Sequence, residues 1–354
     1  MKYLSFLFFL ITITTINYAQ NDYFIEPKTT IGGYGELHFN HEKNIKNDVK
    51  QTLDFHRFVL FFSHTWNEKW SFKSEVELEH NFVQEGQGEL ELEQAYINYH
   101  YADWIGFQFG VVLPSIGLIN ENHEPVLFMG VERPEYHNKI IPTTWFGNGM
   151  AIYGKLKGFD YKATIMEGLN NEKFSHSSGI RSGRKKGFMA NAKNLLYNIR
   201  LDYIDIPGLK LGASYSYNKA SGDTSSNKID LLEFHASYKN NNILTIFEYG
   251  QINYEKYSLK KSNGFYFDLG YDFADILNIK TRIIPFIRYT DYNTASSTSL
   301  GGNSEQKYHY NYFMFGVSVK PLDNVVFKAD YGSRINEIDT ENSKLFNLGV
   351  GYYF

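Results

Sequence analysis

Apolar residues in this chain recur at every second position, segment after segment, up to its last residue. In 344–354, Phe346, Leu348, Val350, Tyr352 and Phe354 share one phase, and Asn347, Gly349, Gly351 and Tyr353 share the other. In 325–333, Val325, Phe327, Ala329 and Tyr331 alternate with Val326, Lys328, Asp330 and Gly332. In 309–320, Phe313, Phe315, Val317 and Val319 alternate with Met314, Gly316, Ser318 and Lys320. A period of two sends successive side chains to opposite faces of a strand. It predicts strands over 29–39, 50–64, 69–82, 89–101, 104–113, 146–156, 159–168, 193–204, 209–219, 228–238, 243–253, 263–273, 279–290, 309–320, 325–333 and 344–354.

Alternation alone also suits a soluble sandwich. The connections discriminate, because they alternate between short and long. Asn67-Glu68, Ala102-Asp103, Lys157-Gly158, 205–208, 239–242, 275–278 and 321–324 form the short set. The long set is 40–49, 83–88, 114–145, 169–192, 220–227, 254–262, 291–308 and 334–343, with 83–88 its weakest member. Short periplasmic turns and longer external loops characterise single-chain outer-membrane barrels. The expected fold is therefore all-β, a transmembrane antiparallel barrel of about sixteen strands in the outer membrane of a Gram-negative cell. A mean hydropathy of −0.39 fits it, since only every second strand residue meets lipid. Beyond the first twenty residues no apolar stretch reaches the length of a membrane helix, so a membrane location requires closure, because open sheet edges cannot sit in lipid.

Residues 1–19 read as a cleaved signal peptide: Lys2, then the apolar run Leu4–Ile16, then a cut at Ala19–Gln20. Residues 20–354 form the single barrel domain. Only Gln20–Lys28 precede the first strand, which leaves no room for a plug. Phe354 ends a complete apolar face and is read as the signal that barrel-assembly machinery recognises. The net charge of −4 shows no polybasic face, which argues against a nucleic-acid partner, and the absence of Cys is neutral as to compartment.

The segment 114–145 is too long for an idle connection and too rich in apolar and aromatic residues for disorder. Its runs His123-Glu124-Pro125, Val131-Glu132-Arg133-Pro134 and 140–145 (IIPTTW) resemble the corresponding loop of the phosphate-selective porin group. The runs 74–80 (SEVELEH) and 93–97 (EQAYI) add to the resemblance. It implies a trimeric sixteen-stranded channel, general or anion-preferring, whose third external loop folds inward and narrows the pore. Partners would be outer-membrane lipid and small hydrophilic solutes or ions, with phosphate among the candidates. The constriction is expected at His123, Glu124, Glu132 and Arg133, with Arg57, Glu75, Glu77, Arg200, Arg282 and Arg288 on the pore wall.

Alternation also assigns lumenal charges. The bases are Arg57, Lys73, Lys155, Lys157, Arg200, Lys210, Arg282, Arg288, Lys320 and Lys328. The acids are Glu36, Glu75, Glu77, Glu79, Asp202, Glu233, Glu248, Asp268 and Asp330. The two sets nearly balance, which predicts weak ion selectivity unless the signs segregate to opposite walls. A hint of segregation lies in Glu75, Glu77 and Glu79 on one early strand and Arg282 and Arg288 far along the chain.

Other motifs carry less. Glu121, His123 and Glu124 have a metal-like composition but not the helical spacing of HExxH, so no metal or other cofactor is expected. Gly32-Gly33-Tyr34-Gly35 precedes no helix and is expected to make room inside the barrel or permit a bend. The basic run 181–186 (RSGRKK) reads as a solvated loop, or as attraction for anions or lipid headgroups. No histidine sits in a nucleophile motif, so an enzyme is not expected. The rival classes are a barrel enzyme and an adhesion or binding barrel without an open pore.

Overall fold

A computed structural model describes residues 27–354, apart from 45, 47, 85–86, 191, 257, 300–305, 337 and 339–341. The leader expected at 1–19 lies outside the described residues. Sixteen strands form: β1 (Lys28–Asn44), β2 (Val49–Thr65), β3 (Trp70–Glu79), β4 (Leu90–Ala102), β5 (Ile105–Val112), β6 (Gly147–Leu156), β7 (Phe159–Met166) and β8 (Leu196–Tyr203), then β9 (Leu209–Ser221), β10 (Ser226–Asn240), β11 (Ile243–Tyr254), β12 (Leu259–Tyr271), β13 (Arg282–Thr298), β14 (His309–Leu322), β15 (Val325–Ile335) and β16 (Ser343–Tyr353). Each pairs antiparallel with its neighbour in sequence, and β1 pairs with β16, so the sheet has no free edge. Among the described residues no helix is long and apolar enough to cross a membrane.

The alternation holds strand by strand. In β16, Phe346 and Leu348 stand exposed on the outer face, while Asn347, Gly349 and Gly351 are buried inside. At the end that carries the short turns, Trp70 packs on Tyr99 at 4.5 Å and Tyr101 on Trp104 at 6.2 Å. Such amphipathic rings suit the membrane–water boundary. The hairpins at this end turn through positive φ at Lys157-Gly158 (49° and 79°) and Asn241-Asn242 (49° and 65°), where Gly158 and the two asparagines suit the left-handed backbone.

Several of the long connections are shorter than expected, whereas those after β3, β5 and β7 are slightly longer. β1 and β2 leave only 45–48 between them, β9 and β10 only 222–225, and β13 runs on to Thr298. These tips extend past the apolar band, and their polar residues lack the alternation that marks a strand in lipid. In the short set, 272–281 is itself long and carries a one-turn helix, α1 (Ala274–Leu277).

Several ladders shift register, and two of these β-bulges bear on the interior. One lies on β2, where Glu36 pairs with Arg57 and Leu37 already with Phe55. The other lies on β4, where Glu75 pairs with Gln94 and Val76 with Leu92. The second resolves an awkwardness in 90–95, where Leu92 and Ala95 cannot both face lipid in one phase. With one residue extra, His56 joins Arg57 on the inner side, and Glu93 joins Gln94.

The glycine expectation needs correction at two positions. Gly33 and Gly35 share the outer phase of β1 with Ile31 and Leu37. They lie under the Phe354 and Tyr352 rings of the closing strand, where a Cβ on Gly33 would stand 3.1 Å from Phe354 Cζ and one on Gly35 would stand 2.6 Å from the Tyr352 hydroxyl. Aromatic cover over strand glycines seals the backbone of the seam from lipid. The same Cβ on Gly33 would lie 2.1 Å from the Val59 carbonyl oxygen. Gly33→Val is therefore expected to cost about 1–3 kcal/mol through forced backbone displacement. The urea midpoint of the refolded barrel checks this, and an unchanged midpoint would mean the seam is not close-packed.

Candidate functional site

Between β5 and β6 the chain enters the barrel and stays there. The apolar residues Ile116, Val131, Ile140, Ile141 and Trp145 of this third loop are all at most 2% exposed. Burial removes water from the loop backbone, so its carbonyls and amides need partners from the wall. The wall supplies them in sequence along the loop.

The first limb lies against β7 and β8. Asn198 accepts from the Ser115 amide (3.0 Å), Arg200 donates to the Gly117 carbonyl (3.0 Å), and Lys162 pairs with Glu121 (2.6 Å). Asn120 then ties the loop's two ends together. Its amide donates to the Pro114 and Trp145 carbonyls (2.8 and 3.2 Å), and its oxygen accepts from the Trp145 amide (2.8 Å). Further along the wall, on β3 and β4, His123 meets Glu75 (3.1 Å) and Glu93 (3.4 Å). Arg133 donates to the His123 carbonyl at 3.0 Å.

The middle of the loop is held by β13–β15. Lys320 donates to the Val126 carbonyl (2.6 Å), Ser318 to Met129 (2.6 Å) and Lys328 to Gly130 (2.7 Å), while Asp330 accepts from the Val131 amide (2.7 Å). Arg288 grips Asp268 with two bonds of 2.7 Å and donates to the Glu132 carbonyl at 2.9 Å. The Glu132 carboxylate meets His38 Nδ1 at 2.9 Å and accepts from Asn40 at 3.0 Å. A further one-turn helix at Tyr136–Lys139 sets His137 against Glu248 at 3.0 Å. The tight fit depends on missing side chains. A Cβ on Gly250 would lie 2.5 Å from the Tyr136 hydroxyl, and one on Gly351 would lie 2.6 Å from Pro125.

Four cavities flank the loop. Two lie toward the external end: about 270 Å³ lined by Glu132, Arg133, Arg288 and Arg334, and about 250 Å³ lined by Arg57, Glu79, Arg133 and Arg181. Two lie toward the short-turn end: about 780 Å³ lined by Glu124, Lys239, Arg282 and Lys320, and about 400 Å³ lined by Lys73, Glu75, Gln94 and Lys162. Met129 packs against Ile284, Phe286 and Met314 between the first and third of these.

The expected site residues thus divide. Glu132 and Arg133 line the external cavities, and Glu124 and Arg282 line the largest one. Arg57 sits between Glu36 (2.6 Å) and Glu77 (3.4 Å). Arg200, bound to Asp202 at 2.6 Å, lies under the first limb and lines none of these four cavities. Glu121, His123 and Glu124, adjacent in sequence, go to three different places. Acidic Glu36, Glu75, Glu77 and Glu93 crowd β1, β3 and β4, and Arg288, Lys320 and Lys328 stand on β13–β15. Arg57 lies among the first set, Asp268 pairs with Arg288 in the second, and Asp330 stands among the lysines, so the walls are not two bare sheets of opposite charge.

Sequence reasoning missed Glu93, Asn120 and His38. Glu93 had a signal in the phase break at 90–95; Asn120 had none, because its role is closing a loop on itself. The basic run 181–186 is also not simply solvated. Arg181 donates to the Thr143 carbonyl at 2.8 Å, and Arg184 bonds the Thr143 and Thr144 carbonyls. Lys186 pairs with Glu89 and Glu91.

The fourth external loop is in turn latched to the hairpin at 222–225. Glu172 accepts from the Thr224 hydroxyl (2.6 Å) and from the amides of Thr224 (2.8 Å), Ser225 (3.1 Å) and Asp223 (3.2 Å). The Thr224 hydroxyl and these amides hold its carboxyl down at about 2. A depressed carboxyl pKa keeps the latch fully formed above the ordinary value near 4.5 and releases it as pH falls through about 2. The protection of the amides of 223–225, each rate taken relative to the unprotected rate at the same pH, should therefore hold at pH 4 and fall toward pH 2. Loss of protection already at pH 4 would contradict the latch.

The profile of the Gram-negative porin family matches residues 7–354. An uncharacterized protein of Aquifex aeolicus is 30% identical over 95% of this chain and 82% of its own length. Among solved structures, OmpF of Salmonella typhi in complex with daunomycin superposes with a TM-score of 0.66 at 14% identity, covering 92% of this chain and 97% of that one. The anion-selective porin of Comamonas acidovorans gives 0.64 at 11% identity, covering 93% and 100%. The trimer form of in-vitro folded OmpT of Vibrio cholerae gives 0.58 at 12%, covering 93% and 100%. With the closed sixteen-stranded barrel, the match over nearly the whole length places this chain in the Gram-negative porin family, as an outer-membrane channel.

Proposed function

We propose that small hydrophilic solutes diffuse passively past the third loop, with a weak preference for anions. The observation that carries this reading is Arg133. It lines both external cavities, and among the described residues no carboxylate lies within ion-pair distance of it. Glu132, beside it, is engaged by His38. At the other mouth Lys239 and Lys320 add positive charge, while Arg282 is paired with Asp272 at 2.5 Å. The constriction is assigned to Glu124, Glu132 and Arg133, with His123 bracing the loop behind them, Arg57, Glu75, Glu77, Arg282 and Arg288 on the surrounding wall and Arg200 supporting the loop from below. The anion-selective relative of the same fold is consistent with this sign. Transport of this kind needs no covalent step, so we assign no enzymatic activity.

An ion passing roughly 8 Å from one charge in water gains or loses about 0.5 kcal/mol, which is about twofold in permeability. Arg133→Ala in a planar bilayer under a KCl gradient should shift the reversal potential toward the cation side by about that factor. Unchanged reversal potential and conductance would remove Arg133 from the path. Concentration-dependent block of chloride current by phosphate would narrow the solute class to phosphate.

The same proposal includes removal of residues 1–19 on secretion, residence in outer-membrane lipid, and a homotrimer like the trimer form of the Vibrio cholerae relative. It also assigns Phe354 to recognition by the assembly machinery. The Phe354 amide and carbonyl bond Gly33 at 2.8 and 2.9 Å, and Phe354→Ala keeps both bonds. Refolding in detergent should then be nearly normal while assembly in cells falls severalfold. Equal loss in both settings would make the ring a structural element only.

A further inference from the structure

We propose that Glu75, Glu93 and His123 form a binding site for one first-row divalent transition-metal ion that clamps the third loop to the barrel wall. The three side chains come from β3, from the bulge in β4 and from the loop, and each is at most 2% exposed. Their donor atoms all lie within 4.8 Å of one another. His123 Nε2 stands 3.1 Å from Glu75 Oε1 and 3.4 Å from Glu93 Oε2. Ligand atoms bound at about 2.1 Å around one ion are about 3.0–3.4 Å apart, from octahedral to tetrahedral angles.

The surroundings are those of a ligand set. His123 Nδ1 faces the Asn120 carbonyl at 3.1 Å, which fixes the ring and turns Nε2 toward the carboxylates. Gln94 donates to the other oxygen of Glu75 at 2.5 Å. Glu93 is fully buried and no well-formed hydrogen bond reaches either of its oxygens: His123 Nε2 stands at 3.4 Å, and the side chains of Glu77 and Thr144 lie beside it. A buried carboxylate so weakly bonded is costly, and a cation between it and the imidazole lowers that cost. On binding, the ion takes the place of the proton between His123 and the carboxylates, and that proton leaves to water. Two carboxylates then neutralise a divalent charge. One imidazole with two carboxylates suits Zn²⁺, Mn²⁺ or Fe²⁺ better than Ca²⁺, which takes six to eight oxygens. Glu75 and Gln94 also line the 400 Å³ cavity, which offers an approach from the lumen.

Binding is tested without any current, so its outcome is separate from that of the channel proposal. Mature protein refolded in detergent without a histidine tag and freed of metal by a chelator is titrated with ZnCl₂ by calorimetry, and with CoCl₂ by visible absorption. One equivalent of each ion is expected at micromolar or tighter affinity. Glu93→Gln, which keeps shape and burial, should weaken it at least tenfold, and so should His123→Gln. His56→Ala should leave it unchanged, although it breaks both other clusters of metal-binding side chains among the described residues, Asp54–His56–His80 and His38–His56–Glu132. Heat-modifiable gel mobility shows which variants are folded. No binding by folded wild-type protein, full affinity in folded Glu93→Gln, or loss in His56→Ala would each overturn the site.

Discussion

Closure of β1 on β16 is the constraint on which everything else rests. Lipid offers no partner to a strand edge, so a single open seam would expose a row of amides and carbonyls. Here the last residue completes that seam through Gly33, and the aromatic rings of β16 cover the glycines of β1. With the sheet closed, outer and inner faces separate fully, and two solvents act on one strand. Lipid meets Phe346 and Leu348, and the enclosed space meets Asn347 and Gly349.

That enclosed space is not simply water. The third loop carries enough apolar surface to build a core inside the barrel, with Trp145, Ile140 and Ile141 against wall residues such as Tyr266 and Ile252. Apolar packing of a loop also buries its backbone, and the wall charges answer that need. Lys320, Lys328 and Arg288 bond carbonyls of the loop as well as, or in place of, carboxylates. Charges that alternation presents as pore lining thus serve partly as loop anchors. This lowers the number of groups left to act on a passing ion.

The fold was largely legible. All sixteen strands lie where period-two alternation puts them, and the wall charges named from phase in β13–β15 do face inward. The errors have a common physical origin. Alternation marks a strand only while one side meets lipid, so the tips of β1, β9 and β13 read as loop. A bulge changes phase by one residue, so spacing alone does not assign His56 and Glu93 inward, although the conflict between Leu92 and Ala95 pointed to the second bulge. The basic residues of 181–186 looked solvated because nothing nearby in sequence shows that Thr143 and Thr144 need donors.

The sequence by itself determined the barrel, the position of its strands, the face of most of their residues and the existence of one unusually apolar loop. Those properties are local: they depend on a repeat of two residues and on composition. Only the tertiary structure decided which side chains meet inside. His123 with Glu75 and Glu93, Val131 with Asp330, and His137 with Glu248 join segments far apart in the chain. Periodicity states which face a residue occupies, but it carries no information on where a loop crosses the lumen. That path follows from the fit of the loop to cavities left by Gly250 and Gly351 and from donors spaced to match its backbone.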